Sequence, residues 1–275
     1  MNGPFLHNAF GLALGGTLTS PTRPVQIETQ AATSLGVGGG ESTATVPNGY
    51  EIPGILSFSK ATTKIFGGEI SDGVFNTTVS VSVEGVRILA GAVTARALDA
   101  SISSTRDRTQ SQPEITASAS FTDLVVDSRR IAVRLDADMS SNLPTYKSMR
   151  DKFETSSNYE ATTCTTRLWR KTKGSLPVEL VPHMPQPKTE KAEDSTGILF
   201  GSLAQELVCD EPVLTTFYHC IEVPSVGYLF LAELATFAEA RRLTMMRFEL
   251  TKGSYTGRLV LAECFSNGTV VNPFP

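Results

Sequence analysis

The run FNTTVSVSVEGVRILAGAVTARALDASISS, Phe75 to Ser104, constrains this chain more than any other stretch. In its VSVSV segment Val79, Val81 and Val83 alternate with Ser80 and Ser82. A period of two places the valines on one face of a strand and the serines on the other. β-Branched enrichment agrees with a strand. Gly85 and Gly91 punctuate the run, as turns or bulges do. The run holds no His, no Cys and few charges, so it reads as scaffold. Its Val/Ala face builds a core and its Ser/Thr face presents a chemically mild surface.

Two internal echoes extend the pattern. VSVEGVRILAGAVTARALDAS, from Val81, lies over ASFTDLVVDSRRIAVRLDADMS, from Ala119, at a shift of 38 residues. Each reads as a strand, a short break, an apolar strand, a polar turn, and a strand carrying an Arg (Arg96, Arg134) followed by acids. Near the C-terminus GYLFLAE (Gly227–Glu233) and GRLVLAE (Gly257–Glu263) match at a shift of 30. LTMMRFEL (Leu243–Leu250) is expected to pair between them, with Met246, Phe248 and Leu250 facing the core.

Helical signals are short. TYKSMRDKF sets Met149 and Phe153 four apart, and GSLAQELV does the same with Leu203 and Leu207. VPHMPQPKTEKAED (181–194) reads as a Pro-rich loop, and SLGVGGGESTATVPNG (34–49) as another. The expected fold is mainly β: antiparallel sheets in a sandwich-like body, with one or two short helices. The expected division is a β-rich unit at 1–142 and a second β-rich unit at 143–275.

With 275 residues, 40% hydrophobic and 19% charged, the chain has the balance of a folded globular protein. Net charge is −4, and the basic stretches STRDR (Ser104–Arg108) and RLWRKTK (Arg167–Lys173) are short. Nucleic acid is therefore not an expected partner. No run of about 18 apolar residues marks a transmembrane helix. The N-terminus lacks a basic n-region. The chain is expected to be extracellular or at the cell surface if a leader was removed, and cytoplasmic otherwise. Cys164, Cys209, Cys220 and Cys264 are spaced by 45, 11 and 44 with no C-x-x-C. Two disulfides and four free thiols are both open readings.

The first half carries further motifs: the opening AFGLALGG, the stretch ESTATVP then YEIPGILSFSKATT, the run from Asn76 to Ser104, and ASASFTDLVVDSRRIAV. In this order, over roughly residues 9–133, they resemble the choice-of-anchor P proteins of bacteria. The resemblance implies an exported, β-rich protein variably anchored to the cell surface. It brings no catalytic residues with it.

Candidate chemistry is sparse. GVGGGES lacks the Gly-Lys-Ser/Thr of a phosphate loop, and Glu41 stands where a carboxylate would repel phosphate. There is no G-x-S-x-G. His219 and Cys220 are neighbours on an expected strand, so their side chains point apart. LDAD is expected to place Asp136 and Asp138 on one strand face about 7 Å apart, weak calcium candidates whose plainer role is a solvated edge. Glu233 and Glu263 close the two LAE echoes. They are an acid/base couple if their strands meet, or ion-pair partners of Arg247 or Arg258. Glu69 and Asp72 read as turn chemistry. Trp169, flanked by Arg167 and Arg170, stacks on a ligand or anchors a core.

These features lead to an expectation of a non-catalytic structural or surface protein without a cofactor. It would self-assemble, or meet a cell-surface or matrix partner, through β-strand surfaces. The alternatives are a glycan- or membrane-surface-binding, toxin-like β-module, and more weakly a hydrolase using Glu233 and Glu263 or Cys220.

Overall fold

The structure is a computed structural model that describes residues 5–19, 24–155, 199–209, 214, 216–217, 219–252 and 255–270. In chain order the first strands are β1 (Phe5–Thr19), β2 (Pro24–Gln30), β3 (Thr33–Ser34), β4 (Gly40–Val46), β5 (Tyr50–Ile52), β6 (Leu56–Phe58) and β7 (Lys60–Ser71). Then come β8 (Val74–Ile88), β9 (Val93–Asp107), β10 (Glu114–Thr122), β11 (Val125–Val126) and β12 (Arg129–Leu135). Helix α1 (Tyr146–Thr155) precedes β13 (Leu199–Ser202), β14 (Ala204–Cys209) and β15 (Thr216–Phe217). The chain closes with β16 (Cys220–Val223), β17 (Gly227–Thr236), β18 (Ala240–Leu250) and β19 (Thr256–Val270).

They form two antiparallel sheets. Sheet 1 runs β15-β16-β17-β18-β19-β1-β2, with β13 also on β17 and β3 also on β1. Sheet 2 runs β14-β12-β11-β9-β8-β6-β5, with β10 on β9 and β7 joining β8 to β4. Among the described residues neither sheet closes into a barrel. The sheets pack face to face, with β1, β18 and β19 over β7, β8 and β9. Val79, Val81 and Val83 point into the core between them, each at most 1% exposed, while Ser80 and Ser82 face outward.

The first strand decides the topology. β1 pairs with β19 from Phe5↔Val270 to Thr19↔Thr256, and β12 pairs with β14 from Ile131↔Cys209 to Leu135↔Ala204. Strands from both sides of residue 142 thus share both sheets, and one hydrophobic cluster spans them. The break expected there separates neither the sheets nor the core.

Gly11 of β1 is a point of close approach between the layers. A Cβ built there would lie 2.7 Å from Thr63, 3.0 Å from Val79 and 3.1 Å from Val81. Only a residue without a side chain lets β1 sit this low on sheet 2.

Both echoes are structural. At the 38-residue shift, Gly85 (φ 65) matches Asp123 (φ 50), and the turn residues Leu89 and Ala90 match Asp127 and Ser128, all with positive φ. Two consecutive left-handed residues suit the twist of a tight hairpin. At the 30-residue shift, β17 and β19 flank β18 in matching register: Leu229↔Phe248↔Leu259 and Leu231↔Met246↔Leu261. Met246, Phe248 and Leu250 are buried as expected. Ala232 and Ala262 both take positive φ (49° and 51°) at equivalent places.

Three local expectations change. GSLAQELV forms β13 and β14 rather than a helix, because β17 and β12 satisfy its backbone and Leu203 is fully buried at the break. Tertiary pairing overrides a weak two-residue helical stripe. Part of the expected loop at 34–49 is β4, whose backbone pairs with β7 from Gly40↔Gly67 to Val46↔Ala61. LDAD is not a continuous strand. β12 ends at Leu135, and the Asp136 carboxylate accepts hydrogen bonds from the backbone N–H of Asp138 (2.9 Å) and Met139 (3.2 Å). Asp136 thereby takes up the first N–H groups of the helical turn Asp138–Asn142 from just before its start. In α1, Met149 is buried; the Phe153 side chain lies outside the described set, as does the Pro-rich stretch 181–194.

A hydroxyl-bearing outer face and a buried charge cluster

The outer face of sheet 2 continues the serine alternation across five strands. One row reads Thr45↔Thr62↔Ser82↔Asp99↔Ser120 across β4, β7, β8, β9 and β10. The next reads Thr43↔Lys64↔Ser80↔Ser101↔Ser118, and the third Glu41↔Phe66↔Thr78↔Ser103↔Thr116. Because side chains repeat every second residue, one face of every strand collects these groups. The β7, β8, β9 and β10 members of the first two rows line an open groove of about 440 Å³. Lys60 meets Glu84 at 3.3 Å at its rim. That leaves Lys64 and Asp99 as one further charge of each sign on the groove wall.

Hydrogen bonds order part of the face. Asn76 Nδ2 donates to Ser103 Oγ (2.9 Å) and Thr105 Oγ1 (3.0 Å), and Thr78 Oγ1 donates to Asn76 Oδ1 (2.8 Å). Ser101 and Ser118 share a 2.9 Å bond. Phe66, 39% exposed, stands in the same face with its ring reaching over Gly68. The VSVSV alternation pointed to the centre of this face. The wider face is written in KATTKIF and ITASASFT, whose alternation is equally clear but whose partners only the sheet reveals.

A different arrangement lies on sheet 1. Both oxygens of Glu233 accept from Arg247, Oε2 from Nε at 2.5 Å and Oε1 from Nη2 at 2.7 Å. Arg247 also donates to Glu249 (2.5 Å), which accepts from Arg258 Nε (2.6 Å). The Arg247 guanidinium lies 3.8 Å above the Phe230 ring centroid, and His219 Nε2 is 3.7 Å from Glu233. Burial alone would push the Glu233 carboxyl up; the Arg247 charge and its two hydrogen bonds outweigh that and hold it well below the ordinary range. Burial likewise works against the Arg247 charge, but Glu233 and Glu249 more than compensate and keep it protonated.

Glu233 and Glu263 do come into one row, on either side of Thr244. They are two strand spacings apart, roughly 10 Å. Glu263 meets neither arginine: Thr244 Oγ1 donates to it at 2.9 Å, and Arg258 turns to Glu249 instead. Both Glu233 oxygens are thus taken up by Arg247, and Glu263 is held by Thr244.

The remaining candidates are dispersed. Cys209, Cys220 and Cys264 are free thiols. Burial raises the Cys220 and Cys264 thiols well above their ordinary value, opposite to what a nucleophile needs. His7 is buried, its Nδ1 2.7 Å from Thr77 Oγ1, and desolvation lowers its pKa. Glu69 accepts from the Gly73 N–H at 2.7 Å, as turn chemistry. Asp138 accepts from Asn142 Nδ2. Among the described residues, no group of three or more His, Cys, Asp or Glu side chains is placed to hold a metal ion. Nor is any helix there long and apolar enough to cross a membrane. Cys164, Arg167, Trp169, Arg170 and His183 lie outside the described residues.

An architecture of two open antiparallel sheets, with an ordered polar face and locked carboxylates, defines a mainly-β protein. The model of a family described as Domain of unknown function (DUF8256) matches residues 5–237, so the chain belongs to that family. That match runs from β1 into the turn after β17, across residue 142. No curated protein matches the chain.

Proposed function

We propose that this protein is a non-catalytic structural or surface protein that acts by contact, and that the outer face of sheet 2 is its contact surface. The observation that supports this most is the in-register band of largely hydroxyl side chains across five strands, four of which line the groove. Small hydroxyl side chains lose little rotamer freedom on contact and offer both donors and acceptors. Among the described candidates, Glu233 and Glu263 are held by hydrogen bonds and Cys220 is buried, which favours contact over chemistry. A location at the bacterial cell surface belongs to the same reading.

Size exclusion with light scattering across a range of concentrations tests self-association. A mass that rises with concentration, and falls back when Ser101→Arg places a charge on the face, is the expected result. A monomer at every concentration removes self-assembly from the reading. A Ser101→Arg protein that assembles as before shows that the contact lies elsewhere.

A further inference from the structure

We infer that the groove on the outer face of sheet 2 binds a neutral, polyhydroxylated chain, a glycan. This inference rests on the reading of that face as a contact surface and names its occupant. Three observations carry it.

The first is charge balance. Lys60 is offset by Glu84, and Lys64 faces the groove together with Asp99. A groove with equal numbers of each sign offers no net attraction to a polyanion such as nucleic acid or to an anionic lipid surface.

The second is the chemistry of the floor. Among the described residues the hydroxyls of Ser80, Ser82 and Ser120 have no side-chain partner, and they stand half-exposed or exposed. A hydroxyl both donates and accepts, so such a floor pairs with sugar hydroxyls in either sense. Adjacent strands repeat at about 4.8 Å, and the four strands that line the groove span roughly 14 Å. This gives an extended ligand repeated contacts along each row.

The third is the aromatic edge of the face. Phe66 is one of three exposed large hydrophobic side chains among the described residues, the others being Val37 and Ile70. It follows Lys64 along β7 and pairs with Thr78, beside the ordered Asn76 amide. An apolar ring next to fixed polar groups suits a ring ligand with one C–H face and a hydroxyl rim. A purely apolar partner would leave the serine floor unpaired, at a cost for each buried polar group.

The test is affinity electrophoresis of the full chain through gels carrying dextran, mannan or xylan. At least one polysaccharide is expected to retard it. Ser80→Ala with Ser82→Ala, and separately Phe66→Ala, are expected to weaken that retardation about tenfold, a loss near 1.4 kcal/mol. Thermal unfolding serves as the control, since these side chains lie outside the core. Two outcomes overturn the inference: no retardation by any of the three polysaccharides, or retardation unchanged in both variants. If retardation is absent but the particle mass still rises with concentration and Ser101→Arg reverses it, the glycan is excluded while the contact reading of the face stands. If both fail, the contact reading falls with it.

Discussion

At the scale of single residues, a few side chains hold positions that their neighbours make unforgiving. Gly11 lies so close to Thr63, Val79 and Val81 that Gly11→Val must push the sheets apart. Overpacking of this kind costs about 1–3 kcal/mol, and urea unfolding should show that loss without a change of slope. The buried ion cluster makes an acid-sensitivity prediction. Glu233 is held below its ordinary value in the folded protein, so its contribution is complete above about pH 4.5 and drains away as pH falls. His7, lowered by burial, acts in the same direction from about pH 6.5 downward, because the unfolded chain binds its proton more readily. Stability should therefore fall in two stages on acidification, and Glu233→Gln should flatten the lower stage. The same substitution leaves Arg247 underpaired, and removing one partner of a buried pair costs about 3–5 kcal/mol. Thiol labelling reads burial directly. In the native protein Cys209, half-buried, should alkylate before Cys220 and Cys264, which should label only on unfolding; peptide mass mapping separates the three sites.

At the scale of elements, the echoes are the most informative feature. The 30-residue echo places β17 and β19 symmetrically about β18, and its two alanines, Ala232 and Ala262, share a left-handed backbone. A glycine in an ordinary strand costs about 0.5–1 kcal/mol relative to alanine. At a left-handed position the relieved strain is of similar size. Ala232→Gly and Ala262→Gly should therefore be near neutral, while Ala100→Gly in β9 should be destabilising; chemical denaturation of the three variants checks this. The echoes were legible in the sequence because the repeated apolar positions carry them. The strands β13 and β14 were not. GSLAQELV has a spacing that fits a short helix, and only the open edges of β17 and β12 make it extended. Asp136 departs from its expected place for a related reason: an acid at the end of an alternating run looks like the next strand residue, but its carboxylate binds the N–H groups of the turn that follows.

At the scale of the whole molecule, the N-terminal strand lies between β19 and β2 in sheet 1, and one core joins both halves. Unfolding should be a single cooperative transition. Near-ultraviolet dichroism and intrinsic fluorescence should report the same midpoint, and two separated midpoints would show that the halves fold independently. Deleting Phe5–Thr19 should abolish this transition, because β2 and β3 lose their partner strand and β19 loses one of its two.

The sequence by itself determined the mainly-β class, the two-faced strand at its centre, the core positions of β18 and the repeats, because each rests on a period of two that residues carry locally. It also contained every group of the candidate face. Tertiary structure alone decided which strands stand side by side. It brought residue 5 to residue 270, set Glu233 against Arg247, turned Glu263 to Thr244, and aligned serines from β8, β9 and β10 into rows. The physical reason is that strand pairing is non-local. Alternation states which way a side chain points, while its neighbours are fixed only when backbone hydrogen bonds and the shared core choose one register among many.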